Sequence, residues 1–255
     1  MIAADAAPAL AGAFLHGLRL IPAAILSPVL GGPLVPSSVR VALAMGLGAC
    51  AWASAGAAPG PAGILLVIDA AKELALGMVF GLFTALPFDA ARAAGRLADT
   101  LRGATLAELH VAPLRQRETA LGDLLVQWTV VLAAVGGGAR LVVAALLASF
   151  HALPVGAGFA ADALLAPVLH AAGALVAAAL CVGAPAAAGV LAADLALALA
   201  LRAAAPGLHA AAQPARAALG LAAVAIAASA MAGRLVSLVT LSADLVAGTG
   251  PGGLR

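Results

Sequence analysis

The stretch from residue 163 to residue 201, ALLAPVLHAAGALVAAALCVGAPAAAGVLAADLALALAL, has no charged side chain before Asp194. So apolar a run indicates a helix in a membrane, where about 20 residues cross the hydrocarbon core. As one α-helix the stretch would be about 58 Å long, whereas the core is about 30 Å thick. It therefore cannot be one simple span. We expect either a kink or hairpin at Pro185, or a helix that projects out of the bilayer.

The composition of the whole chain points to the same environment. Of the 255 residues, 64% are hydrophobic and 9% are charged, and the mean hydropathy is +1.13. Soluble domains carry about 25% charged residues, so this chain has too few to cover a water-facing surface. We therefore predict an all-α integral membrane protein, organised as a single polytopic domain over 1–255. It would contain about six apolar helical segments, some of them kinked hairpins, near 9–30, 41–58, 64–88, 124–147, 163–201 and 217–246.

Charge is concentrated in one connector. Residues 89–123 hold ten charged side chains, whereas the whole chain has 13 basic and 11 acidic residues. With six segments, the loops on the other side of the membrane, near 57–63 and 151–162, contain no lysine or arginine. Because basic residues in short loops stay in the cytoplasm, the charged connector is predicted to be cytoplasmic and both termini to lie outside.

The connector begins with a regular pattern. Asp89, Arg92, Arg96 and Asp99 follow one another at spacings of three and four, which places them on one face of a helix running on from Pro87. Arg96–Asp99 and Asp99–Arg102 would be i,i+3 ion pairs, and Gly103 would end the helix. This face is either a solvated connector or a surface for a partner, and the pattern leaves both open.

Ionisable groups inside the apolar segments are costly to insert, so they tend to face protein or water. Asp69, Lys72 and Glu73 lie within one helical turn and are predicted to form a local ionic cluster. Seven residues belong to this class: Arg19, Asp69, Lys72, Glu73, Arg140, Asp194 and Arg234.

Glycines mark two further features. Three consecutive glycines, Gly136 to Gly138, interrupt an apolar run and predict a hinge or break just before Arg140. That arginine is either a functional residue beside a broken helix or the partner of Asp194 or Glu73. Separately, Gly77 and Gly81 have the GxxxG spacing that lets two apolar helices approach closely.

Catalytic and ligand-binding motifs are missing from the sequence. It has no motif for a nucleotide, a catalytic zinc ion or a serine nucleophile, and its five histidines lack ligand spacing. A net charge of +2 and 3% aromatic residues offer no surface for nucleic acid. We therefore expect no enzyme activity, no cofactor, no metal and no nucleic-acid partner.

Several short motifs follow one another along the chain. They are Glu-x3-Gly-x3-Gly (Glu73, Gly77, Gly81), Gly-x3-Asp (Gly95, Asp99), Ser-Phe before a proline (Ser149, Phe150, Pro154), and Asp followed by Arg-x3-Pro (Asp194, Arg202, Pro206). Their order resembles the FliR/SctT family of type III secretion export proteins. The RGAT at 102–105 is more similar to the injectisome SctT branch than to the flagellar branch. The sequence departs from the family pattern at PGLH, residues 206–209, and at Arg216, which stands in place of a lysine.

The resemblance implies a structural, channel-forming subunit of the export gate in the bacterial inner membrane, through which unfolded substrate proteins pass. It implies SctR-type, SctS-type and SctU-type partners, against which the apolar segments would pack. The candidates for assembly or gating are Glu73, Gly77, Gly81, Arg92, Arg96, Asp99, Arg102, Arg140, Asp194, Arg202 and Pro206.

The alternative is a small-solute secondary transporter that uses Arg140 and Asp194 as a site within the membrane. Such a transporter is expected to show internal repeats, and the two halves of this sequence share no comparable motifs.

Overall fold

A computed structural model describes residues 2–30, 35–103, 119–157, 162–203 and 212–248. Pro206 and most of the second half of the charged connector lie outside these residues. The described residues form seven α-helices and one short 3-10 helix, Pro28–Leu30, and none of them lies in a strand. The helices are α1 (Ile2–Leu26), α2 (Ser37–Ser54), α3 (Ile64–Leu101), α4 (Ala120–Val135), α5 (Gly138–Ala152), α6 (Asp162–Ala203) and α7 (Ala212–Gly248).

Several of these helices are long and apolar enough to cross a membrane. Within the described residues three qualify, at Ala6–Leu26, Val168–Arg202 and Ala215–Ala247, and the bent pair α4 and α5 would make a fourth. The prediction of an all-α membrane protein is therefore confirmed.

The predicted segment 124–147 is two helices instead of one. α4 ends at Val135, α5 begins at Gly138, and their axes are bent by 77°. Gly137 has φ +74°, a left-handed conformation that glycine adopts without steric cost. The expected break at the three glycines is thus confirmed.

The hairpin interpretation of residues 163–201 is wrong. α6 is one helix of 42 residues that passes through Pro185 without a break. Proline removes one backbone hydrogen bond from a helix, but a neighbouring helix can supply the missing donor in an apolar setting.

α3 is similarly continuous: its 38 residues include Pro87 and join the 64–88 segment to the striped helix of the connector. Gly103, with φ +73°, follows its last turn as predicted.

The chain divides into two compact units, and the prediction of a single domain stays a prediction. The first unit consists of Met1–Leu86, Ala133–Gly173 and Val239–Arg255. In it α3 lies against α1, because a β-carbon at Gly77 would overlap the Arg19 carbonyl oxygen and one at Gly81 would lie 3.1 Å from the Pro22 carbonyl oxygen. The GxxxG pair therefore permits the close helix approach that its spacing predicted.

The second unit consists of Pro87–Leu132 and Ala174–Leu238. In it α6 and α7 run antiparallel, since Gly189 packs on Ala223 and Asp194 pairs with Arg216 further along. Small side chains of α3 face both helices and α4. The buried core includes Ala90, Ala94, Ala98, Leu121, Leu125, Val182, Ala186, Val190, Met231 and Leu235.

We predict that Gly77→Ala destabilises the protein. The new methyl group would overlap the backbone of α1, and overpacking costs about 1–3 kcal/mol, more than the helix propensity gained. Gly46→Ala in α2 is the matched control, because no atom lies within 4 Å of its β-carbon position. Thermal unfolding in detergent should show a lower Tm for Gly77→Ala alone. Equal Tm values for the two variants would contradict the close packing of α1 on α3.

Candidate functional site

A buried ion pair joins the first and third helices in the first unit. Arg19 Nε of α1 donates to Glu73 Oε2 of α3 at 2.5 Å, and both side chains are 0% exposed. Charged groups are almost never fully buried unless they are paired. The pair is therefore a fixed polar contact between two helices whose other facing residues are apolar or small.

Arg19 also contacts the end of α5. Its Nη1 donates to the Ser149 carbonyl oxygen at 3.2 Å, and its guanidinium carbon lies 4.4 Å from the centre of the Phe150 ring. The His16 ring stacks on the same phenylalanine at 4.9 Å. One arginine thus holds three helices together through an ion pair, a backbone hydrogen bond and a cation–π contact.

Lys72 extends the cluster to the chain that follows α5. Its Nζ lies 3.4 Å from Glu73 Oε1 and 3.6 Å from Asp69 Oδ1, and it donates to the Ala157 carbonyl oxygen at 2.8 Å. The structure therefore contains the predicted cluster of Asp69, Lys72 and Glu73. The structure adds Arg19 to this cluster. Its pairing with Glu73, which is 54 residues away in the sequence, was not predicted.

The two acids that the sequence offered as partners for Arg140 both contact other arginines. Glu73 is paired with Arg19, and Asp194 is bound through both of its oxygens by Arg216, at 2.7 and 2.6 Å. Arg140 is exposed in the first turn of α5. A charge that already has a bidentate partner is not available as the anionic half of a transport site. The geometry gives no support to the small-solute site at Arg140 and Asp194.

In the second unit, Asp99 is buried and not part of a solvated stripe. Its Oδ2 accepts a hydrogen bond from the Leu121 backbone N–H at 2.9 Å, and the Thr119 hydroxyl accepts one from Gly122 N–H at 3.1 Å. These amides belong to the first turn of α4, where the helix itself offers no carbonyl group to accept their hydrogen bonds. A side chain of α3 therefore caps α4, and the negative charge suits the positive end of the helix dipole.

The Gly-x3-Asp motif explains how this cap is reached. A β-carbon at Gly95 would lie 2.6 Å from Gly122 Cα, so the glycine lets the two backbones approach closely enough for Asp99 to meet α4. Of the two predicted pairs, the structure forms Asp99–Arg102, with Arg102 Nε 2.7 Å from Asp99 Oδ1, whereas Arg96 is exposed.

Two further candidates, Arg92 and Arg202, are at least partly exposed. Arg92 pairs with Asp89 at 2.6 Å on the partly exposed side of α3. Arg202 is exposed in the last turn of α6, where a cation suits the negative end of the helix dipole.

Chemically, these contacts hold helices together. No group of three histidine, cysteine, aspartate or glutamate side chains that could bind a metal occurs in the part of the chain that the structure describes. An apolar cavity of about 410 Å³ lies between α4 and α7, and its lining includes Leu124, Trp128 and Met231.

We predict that the two partners of the buried pair differ in how much their loss costs. Glu73→Gln leaves Arg19 charged and buried without an acid, which costs about 3–5 kcal/mol. Arg19→Met should cost less, because Lys72 remains 3.4 Å from Glu73. The double variant should be more stable than Glu73→Gln alone. Thermal unfolding in detergent measures all three, with the exposed Arg140→Met as the control. Identical losses for both single variants would show that Lys72 does not compensate.

Comparison with known proteins gives two matches. The family model described as "Bacterial export proteins, family 1" matches residues 10–241. The secretion system apparatus protein SsaT of Salmonella typhimurium is 33% identical over 84 residues. That alignment covers 33% of this chain and 32% of SsaT, so it spans about a third of that relative's length. The family match covers most of the chain and includes both polar clusters described above. This chain therefore belongs to family 1 of the bacterial export proteins, the FliR/SctT family of the type III secretion export apparatus.

Proposed function

We propose that this chain is a structural, channel-forming subunit of a type III export gate in the bacterial inner membrane, and that unfolded substrate proteins pass through the assembly. The observation that carries the proposal is an apolar surface on α6 that is longer than a bilayer is thick. The similarity to SsaT favours an injectisome over a flagellum.

The apolar surface follows almost the whole of α6. Large exposed side chains recur from one end of the helix to the other: Leu169, Val176, Leu180, Leu191, Leu195 and Leu199. Leu169 and Leu199 are thirty residues apart, which is about 45 Å along a helix. Even at the largest usual tilt, about 40°, this stretch rises about 34 Å, more than the hydrocarbon core of about 30 Å. Lipid alone therefore does not cover it.

Protein partners provide the missing cover. Apolar helices associate in membranes through small residues that allow close packing, and alanine and glycine dominate α6 and α7. The partners proposed are SctR-type and SctS-type subunits and an SctU-type protein. A helix buried against them is no longer limited in length by the bilayer.

The orientation follows from the basic residues. Residues 89–123 would face the cytoplasm and the termini the outside. Arg96 is exposed on α3, whereas Asp99 caps α4 and Arg102 pairs with Asp99. Arg96 is therefore the member of the stripe best placed to meet another subunit or a substrate.

The proposed role needs no covalent chemistry. Glu73, Asp99 and Asp194 each contact an arginine of the same chain. Paired acids of this kind position helices and are poorly placed to act as general acids or bases. The energy for export would come from other components of the system.

Co-expression with the neighbouring genes tests the proposal. We expect a tagged copy, extracted in mild detergent, to purify with two small apolar proteins in constant ratio, identified by mass. The same copy expressed without those genes should be recovered in lower yield and with a lower Tm, because its α6 surface is then uncovered. A lone, stable protein that binds a small solute would instead support the transporter.

We predict that Arg96→Glu impairs secretion without unfolding the protein. Arg96 is exposed, so its reversal leaves the α4 cap intact but changes the charge presented to a partner. Arg96→Lys keeps the charge and is the control. Arg102→Glu, by contrast, should lower the Tm, because it places an acid beside the buried Asp99. Normal secretion by Arg96→Glu, with normal protein levels, would remove this arginine from the proposed partner surface.

A further inference from the structure

One carbonyl group in the middle of α6 lacks its usual backbone donor. In α6 the N–H of residue 185 would donate to the Cys181 carbonyl oxygen, but residue 185 is a proline and has no N–H. Arg234 of α7 replaces it, since its Nη1 donates to that same oxygen. Both helices belong to the second unit here, so the contact lies inside one compact body.

This contact fixes the guanidinium group but leaves most of it unused. An arginine has five N–H donors in a rigid fork, and only Nη1 forms a hydrogen bond that we observe. Arg234 is exposed, and among the described residues no carboxylate lies within ion-pair distance of it. Its positive charge is therefore directed outward from the antiparallel helices α6 and α7.

Arg234 lies near the middle of the candidate membrane span of α7. The candidate span is Ala215–Ala247, and about 20 residues are needed to cross the hydrocarbon core. Every window of 20 residues within this span includes Arg234. An unpaired charge at that depth is costly, so such residues usually face protein or water and have a partner.

The surface around Arg234 fits a closely packed helix. Ala230, Gly233 and Ser237 are exposed and lie one turn apart along the same side of α7. No atom lies within 4 Å of the β-carbon position of Gly233. Small residues at this spacing allow another helix to approach the backbone, which brings its side chains within reach of the guanidinium.

We propose that Arg234 binds the carboxylate of an aspartate or glutamate in an apolar helix of a partner subunit, which packs on the face formed by Ala230, Gly233 and Ser237. This inference rests on the proposed function, because it requires a membrane partner. A carboxylate matches the free fork of the guanidinium in a bidentate geometry and cancels its charge inside the membrane. Pro185 contributes by freeing the carbonyl group that orients the arginine.

The test separates the contact between subunits from the contact within the chain. Pro185→Ala restores an N–H for the Cys181 carbonyl oxygen, so Arg234 is no longer needed to satisfy it. In that background, Arg234→Gln removes only the charge. Each variant is tagged at full length, co-expressed with the neighbouring genes and purified in mild detergent, and the recovered partners are quantified. The Tm of the chain expressed alone reports on folding.

We expect Pro185→Ala to reduce recovery of the complex only slightly, because Arg234 keeps its charge and loses only the carbonyl group that orients it. The addition of Arg234→Gln should reduce recovery at least tenfold further, with an unchanged Tm. Arg234→Asp should abolish recovery, and a lysine in place of one acidic residue in a partner's apolar segment should restore it.

Three results would overturn the inference. The first is undiminished recovery of Pro185→Ala/Arg234→Gln, which would limit Arg234 to its role within the chain. The second is a lowered Tm of Pro185→Ala/Arg234→Gln, which would show that misfolding accounts for the reduced recovery of partners. In the third, native mass spectrometry shows that the complex of this variant is intact but lacks a phospholipid that the wild-type complex binds, which would assign Arg234 to a lipid phosphate. If the wild-type chain itself purifies without partners, the proposed function fails first, and the two failures are thereby distinguished.

Discussion

The buried pair between Arg19 and Glu73 is the contact on which the first unit depends. In a chain with so few charged residues, two opposite charges at 0% exposure fix the register of α1 on α3 more narrowly than apolar side chains can. The same arginine reaches the Ser149 carbonyl oxygen and the Phe150 ring, so the end of α5 is held as well. The glycine at Gly77 makes the arrangement possible, because it lets α3 lie directly on the backbone that carries Arg19.

A second constraint is that backbone groups must be satisfied without water. Asp99 supplies an acceptor for an amide in the first turn of α4, and Arg234 supplies a donor for the carbonyl group that Pro185 leaves free. Asp99 and Arg234 are thus placed where the helical backbone is incomplete, which gives a largely alanine, leucine and glycine chain specific contacts.

Much of the fold could be predicted from the sequence, because apolar length and glycine position are local signals. The apolar segments, the break at Gly136–Gly138 and the cluster at residues 69–73 are all local. The partner of Arg19 could not be predicted, since it depends on residues 54 and 130 positions away. The burial of Asp99 was also missed, because a helical stripe of charge does not reveal that another helix ends against it. The sequence left the continuity of α6 open, because the effect of Pro185 depends on a donor from α7.

The internal pairing of charge has a consequence for assembly. Because Asp194 of α6 is neutralised by Arg216 of α7, most of what remains for partners on these two helices is apolar surface and small residues. Such surfaces give close packing but little directional information. An isolated outward cation within an otherwise apolar face would supply the missing specificity, since it penalises every register that leaves the charge unpaired. Arg234 has that position on α7, and the proline opposite it determines where the guanidinium points.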